Sequence, residues 1–160
     1  MVKQGTKIVN VLTKDEMEYL ETEQSSGGKH CKIKWLSKAS GAKPPMHIHW
    51  SQEESFEIIS GQFTYEYKGK KKTLGAGESI TFPKGEAHNH YNEGTTDCEM
   101  IQTVSPALDF EDIFMRINEL FEQGKVVNSQ PPMLEVMVWL KKYKAKTYLA
   151  GIPVPVQKAR

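Results

Sequence analysis

GAKPPMHIHWSQEESFEIISG, residues 41–61, is the stretch whose reading decides the fold. His47 and His49 are two apart, and in an extended strand that spacing puts both imidazoles on one face. Two neighbouring imidazoles with a carboxylate from the next strand are a donor set suited to a transition metal. Glu53 and Glu54 both offer that carboxylate, and strand parity separates them. Glu54 shares a face with Phe56 and Ile58, so turning it inward turns apolar residues inward as well. An inward Glu53 would carry Ser55 and Glu57 into the core. The reading therefore takes Glu54.

A second stretch, GESITFPKGEAHNHYN (residues 77–92), completes the set. A strand runs into Phe82-Pro83-Lys84-Gly85, where Pro second and Gly fourth suit a type I turn. The following strand opens with His88. Three histidines and one carboxylate make an N3O site with room for exchangeable ligands. His90 falls on the same face as His88 if the strand continues. It is either a base or substrate contact beside the ligands or a hydrogen-bonded lining residue. Tyr65 and Tyr67 sit at the parity that would line the same cavity, with an ordinary core tyrosine as the first reading of each.

The two stretches resemble the paired signature motifs of the cupins. The first motif is G, five residues, H-x-H, three or four residues, E, six residues, G. Gly41, His47, His49, Glu54 and Gly61 meet it with the four-residue option. The second is G, five residues, P-x-G, two residues, H, three residues, N. Gly77, Pro83, Gly85, His88 and Asn92 meet it without departure. The resemblance covers residues 29–105. It implies a mainly β protein, a single antiparallel double-stranded β-helix of the cupin or jelly-roll kind. It also implies one divalent transition metal ion per chain (Fe, Mn, Ni, Cu or Zn) on His47, His49, Glu54 and His88. Some cupins lose ligands and only bind small molecules, whereas this chain retains all four. Dioxygenases are frequent among cupins with this ligand set, so the resemblance points to a mononuclear-metal, dioxygenase-like oxidoreductase with Glu54 and His90 in the chemistry. A non-catalytic binding or sensing module, and a metal-dependent isomerase or decarboxylase, are the alternatives, because one fold hosts many activities.

Around this centre the chain divides into residues 1–28, the 29–105 barrel and residues 106–160. Residues 7–12 (KIVNVL) read as a strand. Thr13 to Glu16 has the T-x-x-E capping-box pattern and predicts a short helix ending near Thr22. Residues 29–36 alternate Cys31, Ile33 and Trp35 with lysines, as a strand with one wet face does. Lys68-Gly69 marks a hairpin, and Lys68, Lys70, Lys71 and Lys72 read as a solvated turn that discourages edge pairing. After the barrel, Asp109 is the expected N-cap of a helix. Phe110, Ile113, Phe114, Ile117, Leu120 and Phe121 form its apolar stripe, and Gly124 ends it. Pro131-Pro132 starts a second helix, MLEVMVWLKKYKAK, and the last residues read as extended. The extension is thus expected to be a two-helix lid, packed on the barrel or at a homodimer interface, with a membrane-surface anchor as the competing reading.

Composition bounds the rest. The chain has 160 residues, 38% hydrophobic, and a net charge of +1, which offers no case for nucleic acid. Its partner is therefore expected to be a small-molecule ligand or substrate. Cys31 and Cys98 fall in predicted strands without metal-type spacing and read as buried thiols. The N-terminal residues lack a continuous apolar run, so the expectation is a cytoplasmic protein.

Overall fold

The computed structural model describes residues 2–39, 42–125 and 131–158. Gly41, the first glycine of the first motif, lies outside them. Ten strands come first: β1 (Lys7–Val9), β2 (Glu16–Glu21), β3 (Cys31–Ser37), β4 (His47–His49), β5 (Glu53–Ser60), β6 (Phe63–Tyr67), β7 (Lys70–Leu74), β8 (Ser79–Phe82), β9 (Ala87–Tyr91) and β10 (Cys98–Ser105). Helices α1 (Phe110–Glu122) and α2 (Met133–Leu140) follow, then strand β11 (Thr147–Leu149) and helix α3 (Val154–Lys158). The strands pair antiparallel in two sheets, in the orders β1-β2-β3-β10-β5-β8 and β11-β4-β9-β6-β7. The architecture is mainly β, of jelly-roll type. Its strands form two facing sheets rather than one continuously bonded barrel.

Period-two alternation builds the six-stranded sheet. In β5 the buried residues are Glu54, Phe56 and Ile58, and in β10 they are Cys98, Met100, Gln102 and Val104. Register places these in rows across the sheet. Met17, Trp35, Met100 and Ile58 are successive neighbours, as are Tyr19, Ile33, Gln102 and Phe56. One end of this inner face meets the five-stranded sheet, where Phe56, Phe63, Phe82 and Met100 cluster. The other end, around Met17, Tyr19 and Ile33, packs with Phe110, Phe114 and Met115 of α1. Trp35 touches both clusters. Cys31 and Cys98 are buried free thiols near opposite ends of the paired strands β3 and β10.

Four expectations need correction. Residues 16–21 form a strand, not a helix. Met17 and Tyr19 alternate inward, and β2 pairs with both β1 and β3. The Thr13 hydroxyl donates to Asp15 at 2.7 Å inside a tight turn in which Lys14 has φ +63°. The T-x-x-E pattern is local chemistry that a turn uses as well as a helix does. Second, the turn after β8 runs from Pro83 to Glu86, closed by Glu86 N–H donating to Pro83 C=O at 3.3 Å. Gly85 then falls third, with φ +82°, as a type II turn requires. Third, Asp109 does not cap α1 with its side chain. Its carboxylate accepts the backbone N–H groups of Lys144 and Ala145 at 2.6 and 2.8 Å, tying the start of α1 to the segment after α2. Fourth, the extension is more than two helices and an extended tail, since Val154–Lys158 form α3. α2 stops at Leu140, and residues 147–149 join the five-stranded sheet as β11, alongside β4.

Other expectations hold. Lys68 and Gly69 both have positive φ, +50° and +70°, as a type I′ hairpin requires. Gly124 (φ +67°) ends α1, with Lys125 N–H donating back to Leu120 C=O. Among the described residues no helix is long and apolar enough to cross a membrane.

Candidate metal centre

The five-stranded sheet carries the three histidines and the facing sheet carries the carboxylate. β4 lies between β11 and β9, with His47 opposite His88 and His49 opposite Thr147. Glu54 reaches across from β5. One donor atom from each of His47, His49, Glu54 and His88 lies within 4.8 Å of all the others. The ring centroids are 4.9–5.5 Å apart. Glu54, His88 and His49 are buried, and His47 is half-buried. Glu53 faces outward and is exposed, as strand parity requires.

Each of the three imidazoles has its Nδ1 next to a fixed partner. His47 Nδ1 donates to the Pro45 carbonyl at 2.9 Å, and His88 Nδ1 to the Glu86 carbonyl at 2.9 Å. His49 Nδ1 faces the Thr147 hydroxyl at 3.4 Å, which makes the C-terminal strand part of the site. A carbonyl only accepts, so the Nδ1 proton is assigned and a neutral ring keeps its lone pair on Nε2. His88 Nε2 lies 2.8 Å from Glu54 Oε2, and His49 Nε2 lies 3.6 Å from Glu54 Oε1. With His88 neutral, a nitrogen lone pair and a carboxylate lone pair face each other, an arrangement that calls for a cation between them. That is the test of fit, and these residues pass it: the cluster is able to hold a metal ion.

Protonation favours the same conclusion. Burial pushes His47 down, and pushes His49 down to about 3, so both rings are neutral near pH 7. Burial would raise Glu54, but the imidazoles around it, His49 first, outweigh that, and the carboxyl is held well below its usual range. Neutral imidazoles and an ionised carboxylate are the forms that coordinate metals.

His90 lies two residues along β9 from His88 but outside the four-residue cluster. Its ring stacks on Phe63 at 5.4 Å and leans on Phe56 at 4.4 Å. Burial pushes it down to about 4. Phe82 stacks on the His88 ring at 4.2 Å, and Tyr65 and Tyr67 set their edges against Phe82. The remaining motif residues shape the backbone. Gly61 has φ +78°, and a Cβ there would lie 2.2 Å from the Asp97 carbonyl oxygen. The Asn92 amide donates to the Ser37 and Thr96 carbonyls, bracing the loop before β10.

Sequence reading missed three neighbours of the cluster. Phe110, at the start of α1, sets its ring edge against His49 at 5.6 Å. Thr147 enters with β11. Gln102 donates to Glu54 Oε1 at 2.5 Å and is itself held by Trp35. Of these only Gln102 left a signal: a polar residue at an inward position of β10, between Met100 and Val104.

Comparison with known proteins points the same way. Residues 36–104 match the family model described as the cupin domain. Oxidoreductase macE of Penicillium terrestre is 32% identical over 95 residues, 58% of this chain and 33% of that protein. The chain thus spans a third or less of the length of the curated relatives it matches. Among solved structures, KdgF from a Halomonas species superposes with a TM-score of 0.56 at 18% identity, covering 66% of this chain and 92% of the other. A protein described as a predicted oxalate decarboxylase, from Thermotoga maritima, gives 0.55 at 23% identity, over 66% and 99% of the two chains. At these identities the structural likeness concerns the fold.

Proposed function

We propose that this chain, whose residues 36–104 match the cupin domain, is a mononuclear-metal oxidoreductase of the dioxygenase type, acting on a small organic molecule at the His47, His49, Glu54 and His88 centre between the sheets. The observation that carries the proposal is the convergence of one ring nitrogen from each of three histidines and one carboxylate oxygen, with Nδ1 of His47 and His88 already committed to carbonyls. A matching relative named as an oxidoreductase supports the reaction class.

In this reading His47, His49, Glu54 and His88 hold the ion, and Fe, Mn, Ni, Cu and Zn all suit such a donor set. A divalent transition ion there supplies Lewis acidity toward a chelating substrate and a redox partner for dioxygen. Glu54 offsets one positive charge, which leaves the site receptive to an anionic substrate oxygen. Phe82, stacked on His88, and Phe56 and Phe63, against His90, make the surroundings of the cluster apolar. His90 is neutral near pH 7, so its ring carries a lone pair that can accept a hydrogen bond from the substrate.

The test is oxygen uptake by the Fe(II)-loaded protein on a panel of small compounds with adjacent oxygen donors. Consumption that vanishes in Glu54→Ala supports the proposal, and His90→Ala should keep the metal while turnover slows. If Fe, Mn, Ni and Cu forms all bind such compounds and none consumes oxygen, the dioxygenase reading fails. A binding module or an oxygen-independent isomerase or decarboxylase then takes its place.

A further inference from the structure

Outside the four-residue cluster, one chain of buried polar contacts reaches Glu54. The Trp35 indole N–H donates to Gln102 Oε1 at 2.7 Å, and the Gln102 amide N–H donates to Glu54 Oε1 at 2.5 Å. Gln102 is 1% exposed. Its orientation is set from both ends. An indole can only donate, so the amide oxygen must face Trp35. An ionised carboxylate can only accept, so the amide nitrogen must face Glu54. Trp35 is steadied in turn by Phe114, whose ring meets it edge-on at 5.5 Å, and Phe114 packs on Phe110, the residue against His49.

The two Glu54 oxygens therefore have different surroundings. Oε1 carries the fixed Gln102 bond at 2.5 Å and lies 3.6 Å from His49 Nε2, whereas Oε2 faces His88 Nε2 at 2.8 Å with no other donor on it among the described residues. We propose that Gln102 is a positioning residue for the metal centre, held by Trp35, and that its bond to Oε1 makes Glu54 present Oε2 alone to the ion. The inference rests on the metal-centre reading. Its chemical content is that Glu54 stays monodentate, so a coordination position that a chelating carboxylate would fill remains open to substrate. A carboxylate with no such donor is free to rotate and to engage through both oxygens, and hydrogen bonds to a ligand's outer atoms are what fix its mode of binding.

The experiment uses the full chain loaded with Co(II), whose visible bands report coordination number. Affinity comes from competition with a chromophoric chelator. Gln102→Leu is expected to bind cobalt about ten- to a hundred-fold more weakly and to show displaced bands. Trp35→Phe keeps an aromatic ring in the core but loses the indole donor. It should shift both readouts the same way by less, and add nothing in combination with Gln102→Leu, because the two act in one series. A Gln102→Leu protein that melts lower but keeps wild-type affinity and bands makes the residue merely structural and overturns the proposal. So do additive losses in the double variant. Wild-type protein that takes up no cobalt removes the metal centre itself, a failure distinct from the other two.

Discussion

The inner face of the six-stranded sheet has two halves, built from the same alternation but roofed differently. Over β5, β8 and part of β10 the roof is a β-sheet, and the buried layer includes Glu54, His88 and His49. Over β1, β2 and β3 the roof is α1, and the layer is Met17, Tyr19, Ile33 and Phe110. A strand roof delivers side chains every second residue onto one face, which is how His47 and His49 come to share a centre. A helix roof delivers residues three and four apart, here Phe110, Ile113 and Phe114, and suits an apolar contact. The apolar half supplies stability, and in the polar half Glu54, His47, His49 and His88 each have a polar partner or are placed for a cation. Contacts that join the halves include Trp35 with Gln102 and Phe110 with His49.

Removing one roof is the most drastic way to break this comparison. A chain ending at Pro106 loses α1 and β11 together, leaving Tyr19 and Ile33 uncovered and β4 without one of its neighbours. Each large apolar side chain exposed forfeits ~1.5–3 kcal/mol. The expected result is insoluble or unfolded protein, checked by solubility and by the near-ultraviolet circular dichroism spectrum. A soluble, cooperatively melting fragment would show that the sandwich stands without the helix.

Substitution in the polar half should spare the fold and remove the ion. His88→Ala and Glu54→Gln are expected to lower metal content sharply by elemental analysis, while Glu53→Gln leaves it unchanged. Stability of Glu53→Gln should stay within ~0.5 kcal/mol of wild type, as at other exposed sites. Equal metal loss in the two glutamate variants would end the parity argument.

Acid should separate the halves next. Burial holds His49 at about 3 and His90 at about 4, against 6.5 for a free imidazole. Below pH 6.5 the unfolded chain therefore binds protons that the folded chain refuses. Stability of the metal-free protein falls as pH drops from 7 toward 4, with a slope approaching ~1.4 kcal/mol per pH unit for each histidine. Glu54, held ionised, adds to the loss in the same direction once pH falls below its ordinary 4.5. Thermal melts across that range test this, and His90→Phe should flatten the profile. A melting temperature that stayed level from pH 7 to 5 would contradict it.

The smallest expected effect lies at β11. Thr147→Val removes the hydroxyl 3.4 Å from His49 Nδ1 while keeping a β-branched strand residue. Metal affinity should drop about tenfold or less, and Thr147→Ser should recover it. Unchanged affinity in the valine variant would leave β11 with a purely architectural part.

Much of the centre was legible because it is local. The two-residue spacing of His47 and His49, the parity of Glu54 with Phe56 and Ile58, and the Lys68-Gly69 turn each follow from backbone geometry over a few residues. The paired motifs then implied the jelly roll and the approach of His88 to the first two histidines. The misreadings share one cause. T-x-x-E at residues 13–16 suits a helix cap or a turn, and Pro83 to Gly85 suits two turn types offset by one residue. Local pattern alone does not choose, whereas pairing of β2 with β1 and β3, and the positive φ of Gly85, do.

The sequence by itself determined which residues face inward and which of them coordinate most readily. Only the tertiary structure decided what lies above and beside them. Thr147 meets His49 across 98 positions of chain, Gln102 meets Glu54 across 48, and Trp35 meets Gln102 across 67. Side-chain periodicity has a range of a few residues. Contacts at these separations come from which strands pair and which element roofs the sheet, and that choice depends on burying the apolar surface of the whole chain at once.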